Sequence, residues 1–210
     1  MNTPATTLPP RILLATGNPG KLREFSALLA PLGVELIPQD ALNIPAAEEP
    51  HPSFVENALA KARHAARASG LPALADDSGL CVEALDGAPG VRSARYAGAE
   101  ASDADNNAHL LAALAACPAD ASRRAFYCCV LAFVRHADDP CPVLAEGRWH
   151  GEITTSPCGS NGFGYDPLFY LPELQQTAAE LDPAVKNALS HRALALTDMV
   201  QRLLRTLPGI

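Results

Sequence analysis

Lysine is scarce in this chain: of its 16 basic residues only Lys21, Lys61 and Lys186 are lysines. A lysine in a turn is therefore harder to dismiss as surface decoration. Acidic residues outnumber basic ones, 23 against 16, for a formal net charge of -7. That balance excludes a general nucleic-acid binder, because gripping a phosphate backbone requires a basic surface. A small anionic substrate stays open, since it needs only a few local cations. The cysteines Cys81, Cys117, Cys128, Cys129, Cys141 and Cys158 contain no C-x-x-C pair and no histidines at zinc-finger spacing. Most lie in apolar surroundings, as small buried hydrophobes do. No apolar run approaches the ~20 residues that span a bilayer, and the opening MNTPATTLPP lacks a basic segment followed by an apolar one. A cytoplasmic protein with no membrane partner is expected. Internal repeats, heptads and an obvious linker are also missing.

What is present is enough for one domain with a real core: 210 residues, 48% of them hydrophobic and 19% charged. We expect a loose segment over 1–10 and a single domain of two lobes over 11–207. A short buried strand, Ile12 to Ala15, leads through a turn into a helix from Lys21 to Ala30 with Leu22, Phe25, Leu28 and Leu29 on one face. A second strand is expected over Gly33 to Pro38. The spacing predicts a capped helix over Ser53 to Ser69, with Ser53 and Glu56 as the capping box and Gly70 as the stop. Next come a strand, a tight turn at Asp77-Ser78-Gly79 and another strand, then a glycine-rich loop and a second capped helix over Ser102 to Cys117. Arg124 to Arg135 and Pro142 to Ile153 read as an antiparallel hairpin. A long amphipathic helix closes the chain. A βα opening combined with a long hairpin implies an α/β fold with a mixed sheet flanked by helices.

Three stretches carry possible chemistry. The turn TGNPGK is not a Walker loop, since Ala15 stands at the first glycine position and Leu22 where a hydroxyl is needed. A strand, a Gly-containing turn and a helix start nevertheless gather backbone N–H groups and partial positive charge, to which Lys21 adds a full one. The alternative is an ordinary β-to-α turn. Glu48 and Glu49 in a loop, with Asp76 and Asp77 after an apolar strand, offer the few hard oxygens that Mg²⁺ takes alongside water and phosphates. Neighbouring strand residues face opposite ways, so one acid of each pair at most faces a given site; a solvated Asp-Asp-Ser-Gly turn is the competing explanation. In GSNGFGYDP, Phe163 between two glycines presents a ring that could stack on a base, or serve as a core residue at a hairpin corner. Lys186, His191 and Arg192 lie near helix starts, where most such residues are plain surface.

Taken in order, TGNPGK, FVENALAKA, ADDSGL, APGVRSARYAG, GFGYDPLF and SHRALAL resemble the inosine triphosphate pyrophosphatase family, over about Ile12 to Leu204. The resemblance implies an elongated α/β fold of two lobes with a cleft, usually dimeric, and a Mg²⁺-dependent hydrolysis of ITP, dITP and XTP to monophosphate and pyrophosphate. It further implies that Thr16, Gly17, Asn18, Pro19, Gly20 and Lys21 bind the triphosphate. Asp77 would be the catalytic acidic residue and a metal ligand beside Glu49 (or Glu48), with Ser78 touching substrate. Phe163, Gly164, Tyr165 and Asp166 would form the nucleoside turn, and Lys186, His191 and Arg192 would close over the base and phosphates. One departure stands at Asn161, where the family more often has glycine. A septum-type pyrophosphatase acting on pyrimidine or modified nucleotides, which lacks the GFGYDP and SHR pair, and a non-hydrolytic nucleotide sensor are the competing expectations.

Overall fold

Strand β1 (Arg11–Ala15) is buried at four successive positions after Arg11, the pattern of a strand covered on both faces rather than one. It pairs in parallel with β2 (Glu35–Pro38) on one side and β3 (Ala73–Val82) on the other. With β4 (Arg124–Val134), β5 (Val143–Ile153), β6 (Phe169–Leu171) and β7 (Gln176–Thr177), the sheet runs β2-β1-β3-β4-β5-β6-β7. The β5–β6 and β6–β7 pairs are antiparallel, so the sheet is mixed, as expected. The computed structural model describes residues 8–30 and 33–206, less the side chains of Ala27 and Leu28. Most of the segment expected to be loose, residues 1–7, therefore falls outside the described residues, as does the side chain of Leu28 on the expected helix face.

Five α-helices accompany these strands among the described residues: α1 (Pro19–Leu29), α2 (Phe54–Ser69), α3 (Asp103–Ala115), α4 (Pro183–Leu189) and α5 (His191–Thr206). The starts of α1 to α4 follow side-chain capping. Ser53 accepts from the Glu56 N–H, and the Ser102 and Asp105 side chains cap each other's backbone in a full capping box. Gly70 ends α2 at a φ of 70°, a left-handed conformation glycine adopts without strain.

One sequence expectation is corrected. No turn interrupts Asp77-Ser78-Gly79; β3 runs unbroken from Ala73 to Val82. The turn reading assumed that two adjacent aspartates seek solvent, but both are buried and held by cations, so the backbone stays extended.

The chain divides into two compact units: residues 1–77, 129–147 and 192–210 in the first, and 78–128 and 148–191 in the second. The boundary falls inside β3, β4 and β5. The first unit has a core of Ile12, Leu14, Phe25, Leu131, Phe133, Met199 and neighbours; the second centres on Leu80, Leu110, Trp149, Leu168 and Phe169. Cys81, Cys128 and Cys129 are buried, Cys117 partly so, and Cys141 and Cys158 exposed; none of the six is in a disulfide. No helix among the described residues is long and apolar enough to cross a membrane.

Candidate active site

In the first unit, charge is concentrated where β1, α1, α2 and β3 bring polar side chains into an otherwise apolar setting. Lys61 and Asn57 are one turn apart on α2, on the same face as the buried Ala58, Ala62, Ala65 and Ala66. The Lys61 ammonium donates to Glu49 Oε1 at 2.6 Å and to Asp77 Oδ1 at 3.2 Å. Asn57, fully buried, donates to Asp77 Oδ2 at 3.2 Å and exchanges hydrogen bonds with the backbone of His51. A single asparagine thus fixes both Asp77 and the loop that carries Glu49. Glu48 is exposed, whereas Glu49 is half-buried and paired with Lys61.

Asp76 has different partners. Lys21 reaches its Oδ2 at 2.7 Å, and the Arg192 Nε lies 3.9 Å from the same oxygen while Arg192 Nη1 donates to Glu24 at 2.7 Å. Burial works against the ionised form of Asp76, but Lys21, Arg192 and Lys61 outweigh it and hold its pKa down to about 2. Burial likewise opposes the charge on Arg192 and Lys61, and their carboxylate neighbours reverse the sign in both. Asp77 goes the other way: burial raises it, Lys61 pulls it back, and Glu49 adds to the rise. The turn before α1 is more self-contained than the sequence implied. Asn18 Oδ1 accepts from the N–H groups of Gly20 and Lys21, at 2.8 and 3.1 Å, and the Asn18 N–H donates to Thr16 Oγ1. An anion seated there would have to displace the Asn18 cap.

The donor set suits a hard divalent cation. Among the described residues no cluster of three or more His, Cys, Asp or Glu could cage a metal by itself. Two carboxylates already share one positive group, Lys61, between them. Two carboxylate oxygens with water and phosphate completing the shell is what Mg²⁺ takes, whereas zinc would ask for nitrogen or sulfur.

In the second unit, Asp166 is the hub of the turn after β5. Its buried carboxylate accepts from the Lys186 ammonium at 2.5 Å, the Phe163 N–H at 2.9 Å and the Tyr127 hydroxyl at 3.3 Å. The Lys186 ammonium also lies 4.9 Å from the centre of the Phe163 ring. Gly162 has a φ of 78°, and a Cβ there would strike the Asp166 carboxylate, so glycine is required on both counts. Asn161, by contrast, has no left-handed φ, and its amide donates to the Leu181 carbonyl at 3.0 Å; the asparagine fits without strain. Asp103 and Asn107 of α3 hold the Gly164 N–H and carbonyl. Tyr165 is buried, with its hydroxyl on the Ser93 carbonyl at 2.8 Å, and burial raises its pKa. It anchors the turn. His191 is buried too, its imidazole stacked on Tyr127.

The first unit therefore brings together Lys21, Glu49, Asp77 and Arg192 with the Thr16–Lys21 turn. The second brings together Phe163, Gly164, Asp166, Lys186 and His191, with Ser78 half-buried at its first position. The sequence reading missed Asn57, Lys61, Glu24 and Tyr127, and gave Asp76 no partner. Asn57 and Lys61 did leave a signal, being polar residues in phase with the small buried face of α2. Glu24 and Tyr127 left none, because their partners lie far along the chain.

A model of the Ham1 family matches residues 12–202. A dITP/XTP pyrophosphatase from Burkholderia pseudomallei is 65% identical over 196 residues, covering 92% of this chain and 93% of that protein. Among solved structures, a HAM1 protein from Coxiella burnetii is 50% identical with a TM-score of 0.88, covering 93% of this chain and 99% of that one. A nucleoside-triphosphatase / dITP/XTP pyrophosphatase from Mycobacterium abscessus is 45% identical with a TM-score of 0.71, covering 89% and 97%.

Proposed function

The chain belongs to the Ham1 family, and from that footing we propose that it hydrolyses noncanonical purine nucleoside triphosphates, ITP, dITP and XTP, to the monophosphate and pyrophosphate. The observation that carries the reading is the buried charge cluster of the first unit, in which Lys61 joins Glu49 to Asp77 beside the Lys21–Asp76 pair. It assembles hard oxygens, mobile ammonium groups and a helix start, the parts that phosphoanhydride hydrolysis needs. Three cations face four carboxylates there, so a triphosphate would meet a site one positive charge short. That deficit favours entry with Mg²⁺, which Glu49 and Asp77 would hold and which, when bound, supplies neutralisation of phosphate charge.

The chain's own residues account for the rest. Water attacks the α-phosphorus, the bond from that phosphorus to the bridging oxygen breaks, and pyrophosphate leaves with that oxygen. Asp77, fixed by Asn57 and Lys61, would orient the water and accept its proton. Lys21 and the Thr16–Gly20 turn would hold the β and γ phosphates, Lys21 moving from Asp76 to substrate. In the second unit Phe163 would stack on the base, with Ser78 and the Lys186 and His191 side chains beside it. Arg192, ion-paired with Glu24 and close to Asp76, suits phosphate charge better than a base edge. A pocket of donors accepts the purine 6-carbonyl and leaves unpaired groups when a 6-amino group enters.

In this reading residues 11–207 act as one catalytic domain, in the cytoplasm, on the free nucleotide pool, and as a homodimer; light scattering of the purified protein checks the last point. The decisive experiment is pyrophosphate release from ITP, XTP, dTTP and ATP, with and without Mg²⁺. Release from ITP and XTP alone, and only with the metal, is expected. A preference for dTTP would move the protein to the pyrimidine-type pyrophosphatases, and release from none would leave a sensor.

A further inference from the structure

We propose that Tyr127 is a positioning residue for base recognition, setting the plane of His191 and the place of Asp166 from one side chain. The inference rests on the purine triphosphate reading above and extends it to a residue that reading does not use. Tyr127 lies on β4, 7% exposed. Its ring stacks on the His191 imidazole with centroids 4.7 Å apart and planes 9° from parallel. The Phe169 ring packs against it at 4.7 Å and 55°. The phenol is thereby braced by a core aromatic, and the imidazole lies flat on the braced ring.

The hydroxyl reaches the second half of the arrangement. It donates to Asp166 Oδ1, while Oδ2 takes the Lys186 ammonium and the Phe163 N–H. Phe163, Lys186 and His191, the three groups assigned to the base, are thus each one contact from Tyr127 or from the carboxylate it touches. The two contacts differ in weight. A near-parallel aromatic pair at this spacing is a real restraint on ring orientation. An O–H···O separation of 3.3 Å is long for its type, about half an ångström beyond the usual distance. The ring therefore does most of the positioning and the hydroxyl a smaller part, which fixes the order expected among variants.

Tyr127→Met keeps apolar bulk in a core position and removes both the ring plane and the hydroxyl; Tyr127→Phe removes only the hydroxyl. The probe that separates base from phosphate recognition is inorganic tripolyphosphate, which has no base, used as an inhibitor. For Tyr127→Met we expect KM for ITP to rise about tenfold or more, kcat to stay within about threefold, and tripolyphosphate inhibition to be unchanged. For Tyr127→Phe the KM should rise only about two- to threefold. Wild-type KM in both variants overturns the proposal, and so does a joint loss of kcat and tripolyphosphate inhibition, the mark of general destabilisation. If the unaltered protein releases no pyrophosphate from ITP, the functional reading fails and takes this one with it. An active wild type matched by Tyr127→Met removes Tyr127 alone.

Discussion

The two units handle polar side chains in opposite ways. In the first, every ionisable group of the cluster is matched by others of opposite sign: Lys21 with Asp76, Lys61 with Glu49 and Asp77, Arg192 with Glu24. Most of these groups stand on helices or strands, and the one on a loop, Glu49, is tied down through Asn57. In the second unit a single carboxylate, Asp166, organises a turn whose glycines at 162 and 164 take left-handed conformations. One buried ion pair, Asp166 with Lys186, and packed aromatic rings do the positioning there. Under the proposed function, the difference fits what each half would hold. Charges meant for a polyanion must be kept buried yet releasable, which requires counter-charges; a base needs a shaped surface, which a turn pinned at a few points supplies.

The sharpest way to break that contrast is Asp77→Asn. The amide oxygen can still accept from Lys61 or from Asn57, its NH₂ then facing the other donor, and the chain should still fold, but the group proposed to orient water and accept its proton is lost. We expect kcat for ITP to fall by about 10³-fold, read by pyrophosphate release, with the thermal unfolding midpoint little changed. Near-normal turnover would remove the first unit from the chemistry. The corresponding change in the second unit is Gly162→Ala. The added methyl group meets the Asp166 carboxylate and must adopt a φ of 78°, a strain of about 1–3 kcal/mol. Because the damage is confined to the turn, KM for ITP should rise about tenfold while tripolyphosphate still inhibits as before. A fall in kcat with unaltered KM would contradict the division of labour.

How far the sequence made this legible depends on contact range. Capping serines, the Gly70 stop and the β1 burial run were visible because they depend on neighbours a few residues away. The motifs also identified the family, and with it the candidate site residues. What stayed hidden was pairing across long separations. Arg192 reads as a lone cation near a helix start until Glu24, 168 positions earlier, is found beside it. The Asp77-Ser78-Gly79 stretch reads as a turn until Lys61 and Lys21 supply the charge that lets both aspartates stay in a strand. Local propensity gives way when burial is compensated from elsewhere in the chain.

Acid tests the compensated unit directly. The Asp76 pKa is about 2 in the folded chain, against about 3.9 when unfolded, so its contribution is present above pH 4 and lost as pH falls toward 2. That contribution is about 2–3 kcal/mol. Asp77, raised by burial, has the opposite sign and softens the loss. Urea unfolding between pH 5 and pH 2 should therefore show a steep fall in stability that Asp76→Asn flattens. An equally steep fall in the variant would mean that the Lys21 and Arg192 contacts do not stabilise the ionised form.

The smallest effect sharpens the other side. Ser102 caps α3 in a capping box, and the first two turns of that helix hold Gly164 through Asp103 and Asn107. Ser102→Ala removes the hydroxyl that accepts from the Asp105 N–H and bonds its carboxylate, at a cost of about 1 kcal/mol. The stability loss should appear in thermal unfolding. If α3 serves the second unit's turn and nothing more, KM for ITP should rise by less than about twofold, with kcat and tripolyphosphate inhibition unmoved. A change in either of those two would mean that disturbing one unit reaches the chemistry of the other, and the contrast between them would have to be redrawn.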